Sequence, residues 1–310
     1  MTRARWVNLV GIGIGIAGLI FVAMRVARDR DEIAEALDSS DPVWLVLSLA
    51  SGLCAMTLLG VNWLIIIRHT GFPAPTRRGL NWFFVGQLGK YVPGGIWPIV
   101  GQAELAHRAA TPRSIAYSAT ALSMVATLLG AGVTAAITGL VSPAGSRIVP
   151  LLVAVGVVAC GLVLASERIR ARVHSIADRI TKRELRLPET RWFSGIVIRY
   201  LPVWVLFSGM NLFVVKALGG DLDTSLTITI IFVTCISWIA GFVIIGLPGG
   251  LGVREAVFIS MMTAPLGAGL AVSVAVVSRV VSLAVDLFGA AISVPVGRSA
   301  PPIEPKTAES

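Results

Sequence analysis

Residues 90–97 read KYVPGGIW and residues 246–255 read GLPGGLGVRE, so one Pro-Gly-Gly triplet interrupts an apolar region in each half of the chain. Pro and Gly end helices and leave backbone hydrogen-bonding groups without helical partners. Lipid offers no partner for such groups, and breaks of this kind therefore occur where protein or water lines a cavity. Paired breaks in the two halves of a membrane protein indicate a substrate path. The two stretches predict a protein that moves a substrate through a bilayer.

The composition is typical of a membrane protein. Hydrophobic residues make up 55% of the 310 residues and charged residues only 14%, a balance that soluble domains do not have. The net charge of +9 does not indicate nucleic-acid binding, because most basic residues stand in loops beside apolar spans. We predict an all-α polytopic membrane protein with about seven or eight transmembrane helices. We expect a single membrane domain at residues 1–296 and a disordered polar tail at residues 297–310.

The apolar runs give the predicted order of elements. The predicted spans are roughly 7–24, 42–67, 113–140, 148–165, 193–216, 224–246 and 268–294. Two broken or re-entrant segments, about 81–106 and 247–265, hold the Pro-Gly-Gly triplets. Trp82, Trp97, Tyr91 and Tyr200 are expected at the membrane interfaces, where aromatic residues concentrate.

Loop charges predict the orientation. Segment 68–80 carries three arginines and no acid, and segment 166–192 carries eight basic residues, whereas segment 217–223 holds only two aspartates. The positive-inside rule places the N-terminus, 68–80 and 166–192 in the cytoplasm and 217–223 outside, in a multi-pass protein of the inner (cytoplasmic) membrane. All the basic loops fall on the cytoplasmic side only if segment 81–106 enters the membrane and returns to that same side, so we predict a re-entrant segment there. Arg298 and Lys306 in the tail favour a cytoplasmic C-terminus, which would require segment 247–265 to cross the membrane.

Segment 166–192 has two interpretations. Ile169, Val173, Ile176 and Ile180 recur at helical spacing among arginines, which suits a basic amphipathic helix on an anionic leaflet. The alternative is a solvated linker that serves only as a topology signal.

Charged residues inside the predicted membrane region are candidate site residues, because an intramembrane charge must be paired or hydrated. Arg279 and Asp286 are seven residues apart and share a helix face. Arg279 either faces a cavity and meets an anion or forms an internal ion pair, and we expect Asp286 to hold it when the site is empty. Lys90 and Arg254 either join Arg279 in one anion site suited to a phosphate or extend to the interface.

The remaining candidates flank the two breaks. Glu255 follows Arg254, and Glu104 either balances the basic cluster, serves as a proton site or occupies a cytoplasmic loop. No cysteine or histidine grouping suggests a metal, and no nucleotide or cofactor motif is present, so we expect no cofactor. The predicted substrate-binding residues are Lys90, Pro93, Gly94, Gly95, Glu104, Pro248, Gly249, Gly250, Arg254, Glu255, Arg279 and Asp286.

Residues 89–98, with GQAEL at 101–105, and residues 247–255 resemble the two signatures of the lysylphosphatidylglycerol synthase transmembrane region family. The resemblance covers nearly the whole chain. It implies an inner-membrane protein similar to the flippase half of the bacterial multiple peptide resistance factor, which is thought to translocate aminoacylated phosphatidylglycerol. The chain lacks that factor's soluble aminoacyl-transferase domain, so we expect no lysyl-lipid synthesis. Relatives are also associated with polyprenyl or other glycolipid pathways.

Three functions from different classes remain open at this point. The first is a flippase or transporter, not an enzyme, whose partners are membrane lipids that are anionic or polyprenyl-linked. The second is a non-transporting membrane scaffold for an envelope glycosyltransferase or aminoacyltransferase. The third is a membrane-embedded enzyme, for which Glu104, Glu255 and Asp286 are the available acid groups.

Overall fold

The computed structural model describes residue 38 and residues 40–91, 97–109, 111–142, 148–165, 189–243 and 252–298, and these residues form helices and no strand. The helices are α1 Pro42–His69, α2 Thr76–Gln87, α3 Trp97–Arg108, α4 Arg113–Val141, α5 Ile148–Ala165, α6 Thr190–Ala217, α7 Thr224–Val243, α8 Val253–Leu266 and α9 Ala268–Arg298, and a 3₁₀ turn, Leu88–Tyr91, follows α2. The predicted span 7–24, the segment 166–188, both Pro-Gly-Gly triplets and the tail beyond Arg298 lie outside the described residues.

Five of these helices, α1, α4, α6, α7 and α9, are long and apolar enough to cross a membrane. Their bounds agree with the predicted spans to within a few residues. Helix α1 starts where it does because Asp41 Oδ1 accepts a hydrogen bond from Val43 N at 2.9 Å and Pro42 occupies the first turn. It runs past the predicted end to include Arg68 and His69, basic residues of the kind that suit the negative end of the helix dipole.

The distribution of side chains is that of a protein in lipid. Large apolar side chains such as Val46, Leu152 and Ile198 are exposed on the outside, where lipid would cover them. Polar side chains instead join the helices internally. Ser48 Oγ donates to Met210 O, and Asn62 Nδ2 donates to Arg199 O, so α1 and α6 are tied together along their length.

The two ends of the helix bundle differ chemically, as the antiparallel packing of α1 against α6 shows. Asp41 N donates to Ala217 O at 2.9 Å, and the rings of His69 and Trp192 stack 3.7 Å apart, so α1 and α6 run in opposite directions. One end of the bundle, here called the basic end, holds Arg68, Arg77, Arg78, Arg108, Arg113 and Arg191. The other, the acidic end, holds Asp38, Asp41, Asp221 and Asp223, with Lys216.

Helices α2 and α3 form a short antiparallel hairpin that starts from the basic end. Each helix has 12 residues and is therefore about 18 Å long, too short for a bilayer core of about 30 Å. The two helices touch at glycines: a Cβ on Gly86 would lie 2.7 Å from Gln102 N, and one on Gly101 would lie 3.2 Å from Gly86 O. The missing side chains let the two backbones approach closely.

Helix α8 is also short, and it extends toward the acidic end between α7 and α9. It has 14 residues, about 21 Å, and it starts near the middle of its two long neighbours. Gly252 and Gly267 bound it with φ values of +82° and +81°, backbone conformations that favour glycine. The hairpin, which starts from the basic end, and α8, which extends to the acidic end, therefore each end within the bundle.

A candidate anion-binding cavity

A cavity of about 620 Å³ lies between the inner ends of the hairpin and α8. All the described helices except α5 contribute to its wall, and so does the 3₁₀ turn. Arg279 lies 11 residues beyond the first residue of α9, which places it about 17 Å from the acidic end of that helix. The cavity is therefore deep within the bundle, at the level of a bilayer core.

Five of the predicted site residues line this cavity together. They are Lys90, Arg254, Glu255, Arg279 and Asp286. Lys90 comes from the 3₁₀ turn at the hairpin tip, Arg254 and Glu255 from the first turn of α8, and the other two from α9. The hairpin tip and the two last helices, which are distant from it in sequence, thus bring three cations and two carboxylates to one space.

Asp286 is the most deeply buried of these charges, with a side-chain exposure of 1%. Its Oδ2 atom lies 2.6 Å from Lys90 Nζ and accepts a hydrogen bond from the Tyr91 hydroxyl. The expectation that Asp286 holds Arg279 is therefore wrong. Seven residues of helix separate those two side chains by about 10 Å along the axis, whereas the hairpin tip brings Lys90 and Tyr91 directly to Asp286.

Arg279 instead pairs with Glu255 of α8. Its Nε atom lies 3.8 Å from Glu255 Oε1, while Glu255 Oε2 accepts a hydrogen bond of 2.7 Å from Gly252 N. Glu255 therefore caps the first turn of α8 with one oxygen and holds the arginine of α9 with the other. Both oxygens of this carboxylate are engaged.

Arg254 lies across α7 at a position that only a glycine permits. A Cβ on Gly241 would be 2.5 Å from Arg254 Cγ and 2.9 Å from Nε. Without it, the guanidinium reaches the face of Trp238, with 5.3 Å between its Cζ and the ring centroid, a favourable cation–π geometry. The Trp238 ring holds the Arg254 side chain in position, but it offers no hydrogen-bond acceptor to the N–H groups in the plane of the guanidinium.

Several polar atoms around the cavity have no hydrogen-bond partner among the residues that the structure describes. These buried atoms are Arg254 Nε, Arg279 Nη2, Ser278 Oγ and Asp286 Oδ1. Buried donors are rarely left unpaired, and a group of them beside a cavity indicates a missing acceptor. Two guanidinium N–H groups and a serine hydroxyl suit the oxygens of an anion.

The other predicted site residues are not part of this cluster. Glu104 does not line the cavity; it lies near the basic end, 3.4 Å from Arg113 and 3.7 Å from Arg108. Pro93, Gly94, Gly95, Pro248, Gly249 and Gly250 lie outside the described residues.

Aromatic residues of the site were missed by the sequence analysis. Tyr91 was expected at an interface, yet it is buried and bonds Asp286. Trp82 and Tyr200 are buried as well, and Tyr200 shares a hydrogen bond with Ser123. Hydropathy does not distinguish a belt aromatic from one that faces an internal cavity. The position of Tyr91 next to Lys90 and beside a helix break was the sequence feature that could have identified it as a site residue.

Comparison with known proteins identifies the family of this chain. No curated protein matches the chain. The model of the family described as "Lysylphosphatidylglycerol synthase TM region" matches residues 8–289, which covers every cavity residue named above and confirms the resemblance of the two Pro-Gly-Gly stretches. The chain is a multi-pass membrane protein that belongs to the lysylphosphatidylglycerol synthase transmembrane region family.

Proposed function

We propose that this protein is a lipid flippase or transporter that moves an anionic phospholipid or lipid-linked headgroup across the cytoplasmic membrane. The single observation that carries the proposal is the cavity, in which three cations and two carboxylates meet at membrane depth. An unneutralised charge in a bilayer costs several kcal/mol, so an excess of cations there requires water or an anionic ligand. A lipid phosphate is the anion that a membrane supplies in quantity.

The arrangement of short elements supports a transport path. The α2–α3 hairpin and α8 each extend only part of the way through the bundle, and the cavity lies between their inner ends. In our proposal the hairpin is re-entrant from the cytoplasm and the headgroup passes between the two elements. The acyl chains stay in the surrounding lipid. With no nucleotide-binding motif in the sequence, we expect downhill or ion-coupled movement.

The topology that we propose follows the charge difference between the two ends. The basic end faces the cytoplasm and the acidic end faces outward, in accord with the positive-inside rule. Helix α9 ends at the basic end, where a Cβ on Gly297 would lie 2.8 Å from Asn81 of α2. The C-terminus is then cytoplasmic, α8 provides the return toward the outside, and the full chain has about seven or eight crossings.

Reconstitution tests the proposal directly. The purified protein is inserted into liposomes that contain a trace of phosphatidylglycerol with a fluorescent acyl chain, and an impermeant reductant then quenches the outer leaflet. We expect quenching to proceed beyond the outer-leaflet fraction faster than in protein-free liposomes. If no anionic lipid or glycolipid crosses faster than in those controls, the protein is not a transporter, and a scaffold for an envelope enzyme becomes the better account.

A further inference from the structure

We propose that the cavity selects one chemical class of lipid: a phosphodiester with a single negative charge and an uncharged, hydroxyl-bearing headgroup. Headgroups that carry an ammonium group are disfavoured. This inference rests on the proposed lipid transport, whose substrate it specifies. It follows from the charge balance of the cavity, from the engagement of its carboxylates and from the neutral polar groups of its wall.

The charge balance sets the number of negative charges that the site can neutralise. Lys90, Arg254 and Arg279 face Glu255 and Asp286, and the part of the chain that the structure describes adds no other charged residue to the wall. One positive charge is in excess. A phosphodiester has one negative charge and neutralises it, whereas a zwitterionic headgroup leaves the excess in place.

An ammonium group would find no carboxylate in the described part of the cavity that still lacks a cation. Glu255 uses one oxygen for Arg279 and the other for Gly252 N. Asp286 uses Oδ2 for Lys90 and Tyr91; its Oδ1 has no hydrogen-bond partner among the described residues, but Lys90 already neutralises the charge of this carboxylate. An ammonium would therefore enter a weakly screened space whose remaining charge is positive, and it would be repelled.

The donors that remain available suit a phosphate. Arg254 Nε and Arg279 Nη2 are buried without partners in the described residues. Both arginines are held from the side, by Trp238 and by Glu255, so their positions are fixed before a ligand arrives. The first turn of α8, which carries Arg254, adds the positive end of a helix dipole.

Neutral polar side chains continue the wall beside these cations. Gln87 and Gln102 come from the hairpin, Asn211 from α6, and Ser278 and Ser282 from α9. Ser278 stands next to Arg279, and its buried hydroxyl has no hydrogen-bond partner among the described residues. Amides and hydroxyls both donate to and accept from the hydroxyls of a glycerol or sugar headgroup.

Lipid binding by the full chain in detergent tests this selection without relying on transport. The probes are phosphatidylglycerol, phosphatidylethanolamine and lysyl-phosphatidylglycerol with identical acyl chains, and native mass spectrometry gives the bound fraction at equal lipid concentrations. We expect phosphatidylglycerol to bind at least about tenfold more tightly than either lipid with an ammonium group. Equal binding of the three, or tighter binding of lysyl-phosphatidylglycerol, would overturn the inference.

Charge variants make the test specific to the cavity. Arg279→Gln removes the excess positive charge and is expected to abolish the preference for phosphatidylglycerol. The double variant Arg279→Gln with Glu255→Gln restores the excess and is expected to regain the preference. Arg113→Gln, at the basic end and outside the cavity, is the matched control and should bind as the parent does. An unchanged preference in Arg279→Gln would contradict the role assigned to the charge balance.

Two further measurements distinguish a lipid site from a site for a soluble phosphodiester, and lipid selection from lipid transport. Glycerophosphoglycerol has the same headgroup without acyl chains, and we expect it to bind far more weakly than the lipid; equal binding would assign the site to a soluble phosphodiester instead. Selective binding of phosphatidylglycerol together with no movement in liposomes would contradict the proposed transport while supporting the selection.

Discussion

At the residue scale, the cavity is stable because each carboxylate is matched to a cation from a different element. Lys90 with Asp286 joins the hairpin tip to α9, and Arg279 with Glu255 joins α9 to α8. The sequence identified all five charged residues but could not identify the pairs. Spacing along one helix indicates which residues share a face, whereas these pairs depend on where two other elements end.

The Lys90–Asp286 pair predicts a stability effect. Lys90→Met leaves a carboxylate of 1% exposure without its cation, and we expect a loss of about 3 kcal/mol in the free energy of unfolding. Adding Asp286→Asn to that variant should recover most of the loss, because position 286 then carries no unpaired buried carboxylate. Denaturant unfolding in detergent measures both.

The Arg113–Glu104 pair is the control for this experiment, since Arg113 is 63% exposed. The equivalent substitutions there should change stability by about 1 kcal/mol or less. A Lys90→Met protein as stable as its parent would show that water, and not Lys90, compensates Asp286.

At the element scale, close contact between glycines defines the hairpin. Gly86 and Gly101 face each other across α2 and α3. In lipid, where the hydrophobic effect does not drive helices together, such contacts supply much of the packing energy. The sequence predicted a broken segment at 81–106 and a return to the same side, and the described helices pack in the antiparallel manner that such a return requires.

A methyl group at this contact should separate the hairpin. Gly86→Ala places a Cβ 2.7 Å from a backbone nitrogen of α3, and we expect it to cost about 1–3 kcal/mol of stability. Gly195→Ala is the matched control, because a Cβ there meets nothing within 4 Å and alanine favours a helix. Thermal unfolding of the two variants compares them. Equal melting temperatures would mean that the two helices do not depend on this contact.

At the scale of the whole molecule, the difference in charge between the two ends predicts the orientation. Single cysteines at Arg77 and Asp223, in a background without the native cysteines, lie at the basic and acidic ends respectively. We expect an impermeant maleimide applied to intact cells to label position 223 and to label position 77 only after lysis. Labelling of position 77 in intact cells would invert the proposed topology.

The membrane character and most of the spans could be predicted because both depend on composition over about 18 or more residues. The location of the cavity could be predicted only in part. The sequence indicated that cations near two breaks meet in space, but the burial of Tyr91 and the place of Arg254 over Trp238 depend on tertiary packing. Gly241 illustrates the limit, since its role is visible only once Arg254 lies against it.

The most direct test of the central claim is the rate of phosphatidylglycerol translocation in liposomes that contain Arg279→Gln, compared with the parent and with Arg113→Gln. A charge-assisted hydrogen bond is worth about 1.5–3 kcal/mol, so its loss should slow translocation about 10- to 100-fold. The account predicts this loss in Arg279→Gln at normal membrane insertion, and a parental rate in Arg113→Gln. A parental rate in Arg279→Gln would contradict the claim that the cavity cations carry the lipid anion across the membrane.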